Sequence, residues 1–83
     1  MTTNEIRSQL EECFAVVFPD LTPDEIPSAA MTTVDAWDSL GSLTLVSVVE
    51  EMFGFQFEIN DLPELVSFEL IAKYLQARCL KAA

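Results

Sequence analysis

Three runs of apolar residues at helical spacing constrain this chain more than any other feature. Each is opened by a cap signal, and the first two are closed by a breaker. In the first run, Ile6, Leu10, Cys13, Phe14 and Val17 fall on one face, and Arg7, Gln9, Glu11 and Glu12 lie mostly elsewhere. Thr2-Thr3-Asn4-Glu5 fits a capping box, with Thr2 as cap and Glu5 three residues on. Pro19 ends the run, so the spacing predicts a helix over 3–18. In the second run, Leu45, Val46, Val49 and Phe53 share a face, with Met52 beside it. Asp38 is a good N-cap and Gly54 a natural stop, which predicts a helix over 39–53. Leu40 and Leu43 point off its apolar face. In the third run, Phe68, Ile71, Ala72 and Leu75 form the inner face of a helix over 68–80, capped by Ser67. The tail 81–83 is expected to fray.

The connections complete the outline. The first is long, 19–37, and holds Pro19, Pro23 and Pro27. Within it, Thr22-Pro23-Asp24-Glu25 reads as a single helical turn with Pro at its first position. Leu21, Ile26, Met31 and Val34 are placed to pin this loop to the core. Connections of this length are often functional. Phe55-Gln56-Phe57-Glu58-Ile59 alternates like a strand, but no second strand is available to pair with it, so extended loop is expected. Asn60 is placed to cap a short helix over 61–65, with Pro63 inside its first turn. The expected architecture is an all-α four-helix bundle with three longer helices and one short one. At 83 residues it is a single domain, 1–83. No internal repeat or low-complexity segment interrupts it.

Composition then excludes several classes of function. The net charge is −10, from 14 acidic residues against Arg7, Lys73, Arg78 and Lys81. Nucleic-acid binding needs a basic surface, and an anionic membrane would repel this chain. No apolar run approaches the roughly 20 residues of a membrane span. The first residues lack a basic region followed by an apolar run, so a cytoplasmic, monomeric protein is expected. Partners with basic patches are favoured, and the same charge also keeps a small apolar domain soluble. There is no histidine, which removes the commonest general base, the commonest metal ligand and every Ser-His or Cys-His pair. Cys13 and Cys79 are too few for a disulfide scaffold and lack metal-site spacing, so buried free thiols are expected. A calcium loop starting at Asp35 fails, because Leu40 and Val46 stand where it needs Gly and Glu. Met31 and Met52 lie far apart in the sequence, with no partner ligands for a soft metal.

The chemistry narrows to Asp38-Ser39-Leu40. Alone, Asp-Ser before an apolar run is an ordinary helix start. A serine there is nevertheless suited to carrying a phosphodiester, because the free amides and the positive helix end favour the attached phosphate. Asp38 caps the same turn and sits within reach of a modifying enzyme's metal ion.

In these residues the chain resembles the acyl carrier protein family, which includes peptidyl and aminoacyl carriers. Asp38-Ser39-Leu40 matches the family's Asp-Ser-Leu signature. The likeness continues through Leu45-Val46, Glu50-Glu51-Met52-Phe53, Phe57, Leu65, Phe68, Ile71 and Tyr74-Leu75. It covers essentially the whole chain, and its one sharp motif is at Ser39. The resemblance implies a shuttle and not an enzyme. A phosphopantetheinyl transferase would place 4'-phosphopantetheine from coenzyme A on Ser39, flanked by Asp38 and Leu40. The arm's thiol would then hold an acyl, aminoacyl or peptidyl group as a thioester, loaded by a ligase and passed to a synthase or transferase. Leu40, Leu43, Glu50 and Glu51 are the expected docking residues.

Four positions depart from the usual fatty-acid carrier. Trp37 replaces a smaller residue, Gly41 and Thr44 sit where helix 2 is usually acidic outside, and Ser47 sits where a large apolar residue is common. This points to a specialised biosynthetic pathway. Trp37 is expected to pack, closing the end of the bundle. The rival reading is an unmodified acidic helical adaptor that binds a basic partner noncovalently.

Overall fold

A computed structural model describes residues 2–79. Three α-helices are joined by two 3-10 segments, and no strand is present among the described residues. Helix α1 spans Thr3–Val17. Its capping box is complete: the Glu5 amide donates to Thr2 Oγ1 at 3.2 Å and the Thr2 amide donates to Glu5 Oε1 at 2.9 Å. The helix ends one residue earlier than expected, with Phe18 as C-cap. Helix α2 spans Ser39–Phe53, as its flanking signals predict. Asp38 Oδ1 accepts from the Gly41 amide at 2.9 Å. Gly54 closes the helix at φ +68°, a left-handed conformation that costs glycine little. Helix α3 spans Phe68–Cys79, and Ser67 Oγ accepts from the Leu70 amide at 3.2 Å. The expected end at Leu80 and the frayed tail 81–83 lie outside the described residues.

The long connection between α1 and α2 is ordered by its own hydrogen bonds. The turn at Thr22–Glu25 forms, with the Glu25 amide donating to the Thr22 carbonyl at 3.0 Å. A 3-10 turn follows at Ile26–Ser28. The loop then meets the start of α3 in an isolated antiparallel bridge between Ala30 and Ser67. Met31 donates to the Val66 carbonyl and Phe68 to the Ala29 carbonyl, both at 2.9 Å. Ile26, Ala29, Val34 and Trp37 are buried, and Leu21 and Met31 pack partly buried against the core.

The short fourth helix forms, as a 3-10 segment over Ile59–Glu64 where 61–65 was expected. Its N-cap is Glu58, with no side-chain cap bond, so Asn60 does not cap it. Pro63 falls near its end and has no N–H for an α-type bond. The bonds that form are of 3-10 type: Asp61 donates to the Glu58 carbonyl and Leu65 to the Leu62 carbonyl, each at 3.0 Å. Tyr74 ties this segment to α3. Its hydroxyl accepts from the Glu58 amide at 3.2 Å and donates to Asp61 Oδ2 at 3.0 Å.

The core draws on all three α-helices: Ile6, Leu10, Cys13 and Phe14 from α1, Leu45 and Val49 from α2, and Phe68, Ile71, Ala72 and Leu75 from α3. Phe14 sits among Trp37, Phe68 and Phe18, with ring centroids 5.2, 5.3 and 5.9 Å away. Tilted and edge-on rings at these distances suit the aromatic quadrupole. Val46 and Phe53, expected on the buried face, are only partly buried. Outside the core, Arg7 of α1 clamps both carboxylate oxygens of Glu69 on α3, at 2.8 and 3.0 Å. No described helix is long and apolar enough to cross a membrane.

Candidate functional site

Ser39 is the first residue of α2 and is exposed. Its position follows from local chemistry. Asp38 adopts an extended backbone and takes up the Gly41 amide, while the Asp38 carbonyl receives the Ser42 amide at 2.8 Å. The amides of Ser39 and Leu40 lie in the first turn, where a helix offers no carbonyl to accept them. A phosphate on Ser39 would therefore meet free donors and the positive end of the helix.

Trp37 fixes the approach to this turn. It is 2 % exposed, and its indole Nε1–H donates to Ser42 Oγ at 2.8 Å. The expectation that it packs holds. The preceding loop comes so close to α2 that a Cβ on Gly41 would stand 2.5 Å from the Ala36 carbonyl oxygen and 3.3 Å from Phe18. Gly41 therefore lies under the loop, not on the outer face of the helix where the resemblance puts it. Thr44 and Ser47 are exposed, and Thr44 bonds back to the Leu40 carbonyl at 3.0 Å.

The expected docking residues separate into two groups. Leu40 and Leu43 stand in the open, 74 % and 61 % exposed. Glu51 is exposed as well. Glu50 is half-buried, and its Oε2 accepts from the Phe57 amide at 2.8 Å. That carboxylate braces the segment after α2, a role its spacing alone does not reveal.

Beside Ser39 lies a feature that sequence reasoning missed, an apolar cavity of about 500 Å³. Helix α2 lines it with Leu43, Leu45, Val46 and Val49, the 3-10 segment with Leu62 and Pro63, and α3 with Ile71. Ser39, Ser42, Trp37 and Met31 complete that part of the wall. No acidic or basic side chain lines it. Only the apolar faces were legible in the sequence; that they leave a space beside Ser39 depends on how the elements meet.

Among the described residues no cluster of His, Cys, Asp or Glu is placed to hold a metal ion. Cys13 is fully buried, and burial pushes its thiol up to about 11, so it stays protonated near neutrality. The side chain of Cys79 lies outside the described residues. The arrangement offers an exposed hydroxyl at a helix N-terminus, two exposed leucines and an adjoining apolar chamber. No protein-family model matches the chain, and no curated protein matches it.

Proposed function

We propose that this chain is an acyl carrier protein whose Ser39 bears a 4'-phosphopantetheine arm. The observation that carries this reading is the exposed Ser39 hydroxyl at the N-terminus of α2, opening beside an apolar cavity of about 500 Å³. The residues present fit the group. The hydroxyl is free to form the phosphodiester, the first-turn amides favour its phosphate, and Asp38 caps the same turn. When bound, the arm supplies a thiol that holds the cargo as a thioester. The chain itself positions the arm, shields the cargo and presents a recognition surface.

Leu40, Leu43 and Glu51 form the docking face in this reading. The acidic surface favours basic enzymes: the transferase, a loading ligase and a downstream synthase or transferase. The covered Gly41 and the hydroxyls of Thr44 and Ser47 leave the start and middle of α2 without negative charge, which fits partners of a specialised pathway. An acyl cargo suits the uncharged cavity better than an aminoacyl one, whose ammonium would find no counter-charge there.

The test is an intact mass after incubation with coenzyme A and a broad-specificity phosphopantetheinyl transferase. A gain of one phosphopantetheine, lost in Ser39→Ala, is the expected result. No gain with several such transferases overturns the reading in favour of an unmodified acidic adaptor.

A further inference from the structure

Two hydroxyls in the first half of α2, Ser42 and Thr44, are bonded differently. Thr44 donates back to the carbonyl four residues earlier, as hydroxyls inside helices commonly do. Ser42 does not. Its Oγ accepts the Trp37 indole N–H at 2.8 Å, and its own proton points to the Met31 sulfur at 3.8 Å. A thioether is a weak acceptor. That proton is therefore held loosely, in the wall of the cavity that also contains Ser39. Ser42 follows Ser39 by one helical turn, so the two side chains project from the same side of α2. Trp37 is buried and fixes the Ser42 oxygen, leaving its proton as the donor to be exchanged. Apart from these two serines the wall is apolar. The cavity thus has one polar point near the attachment residue and an apolar body.

Resting on the carrier reading, we propose that Ser42, oriented by Trp37, is a specificity-determining hydroxyl that donates to an oxygen near the head of the cargo. The complementary cargo is an acyl chain with a 3-hydroxyl or 3-oxo group and an apolar tail. Such an oxygen replaces the Met31 sulfur as acceptor, trading a weak hydrogen bond for an ordinary one. A saturated chain enters the same cavity without that gain. Met31 is only partly buried and unbranched, so it can turn aside.

The experiment loads hexanoyl, 3-hydroxyhexanoyl or 3-oxohexanoyl phosphopantetheine onto Ser39 from the corresponding acyl-coenzyme A. Intact mass reports loading. Hydroxylamine cleavage of the thioester reports shielding, each rate divided by that of the same acyl group on coenzyme A. The single tryptophan, Trp37, reports cavity occupancy by its emission. The 3-oxygenated cargoes are expected to be shielded roughly 2–10-fold more than hexanoyl, the range of one net hydrogen bond. Ser42→Ala should remove that difference, and Ser42→Thr should restore it. Equal shielding of all three cargoes, or a difference that survives in Ser42→Ala, overturns the proposal. If Ser39 takes no arm, the carrier reading fails instead. The same comparison is then made on the unmodified chain with free N-acetylcysteamine thioesters, read by Trp37 emission. A preference for the 3-oxygenated thioesters that depends on Ser42 sustains the proposal, and its absence overturns it.

Discussion

The carbonyl oxygen of Ala36 stands over Gly41 so closely that a Cβ there would lie only 2.5 Å away. The contact seats the end of the long loop on the first turn of α2 and so sets where Ser39 emerges. Backbone blocks the site, so the clash cannot be relieved by a side chain turning away. Gly41→Ala is expected to destabilise the fold by about 1–3 kcal/mol, as overpacking does, despite the gain in helix propensity. Urea denaturation followed by circular dichroism checks this. A neutral or stabilising result would mean that the loop sits farther from α2.

Phe14 and Phe53 are both aromatic residues on the predicted inner faces, yet they differ in environment. Phe14 is fully buried among three rings, whereas Phe53 is only partly covered. Phe14→Ala should cost about 3–5 kcal/mol, and Phe53→Ala clearly less. Denaturation midpoints of the two variants give the comparison directly, and equal losses would contradict the packing.

The Arg7–Glu69 clamp predicts an acid-dependent loss of stability. The guanidinium holds the Glu69 carboxyl below its ordinary value. A lowered folded-state value means the stabilisation is present above the ordinary carboxylate range and is lost as pH falls through the folded-state value. Both side chains are substantially solvated, so the pair contributes only about 0.2–1 kcal/mol. Glu69→Gln should lower stability at pH 7 by that amount and converge with the parent at low pH. A constant gap across the titration would assign the effect to packing.

Cys13 is expected to resist alkylation in the folded protein. Its thiol is buried and pushed up to about 11, so little thiolate exists at pH 8 and reagents have no access. In a Cys79→Ser background, iodoacetamide should label Cys13 only on addition of denaturant. Rapid labelling of the native protein would show that α1 opens readily.

Leu40 and Leu43 contribute little to the fold, being largely exposed. Leu40→Glu and Leu43→Glu should leave the denaturation midpoint within about 0.5 kcal/mol of the parent, as surface substitutions usually do. In the carrier reading they should slow modification of Ser39 by the transferase. Unchanged rates in both variants would move the docking face elsewhere.

Local signals made much of this molecule legible. Thr2 and Glu5 mark the start of α1, Asp38 and Gly54 the limits of α2, and Ser67 the start of α3, because each acts through backbone groups within a few residues. The extended stretch after Gly54 was also readable, since a lone strand has nothing to pair with. The short fourth helix was readable too, but its start at Ile59 and its cap were not, because Tyr74, distant in sequence, holds Glu58 and Asp61. Glu50 looked like a docking charge because nothing near it in sequence announces its bond to the Phe57 amide.

The candidate site divides along the same line. That Ser39 opens a capped helix was readable from local residues, because the Asp38 cap and the first-turn amides are properties of four consecutive positions. The folded arrangement was needed to learn that Gly41 lies covered, that Ser42 bonds Trp37 and Met31, and that an uncharged cavity adjoins the serine. Those features arise where the loop, α2, the 3-10 segment and α3 meet. They depend on how the loop turns back onto α2 and how α2, the 3-10 segment and α3 pack, which residue spacing along one helix does not encode.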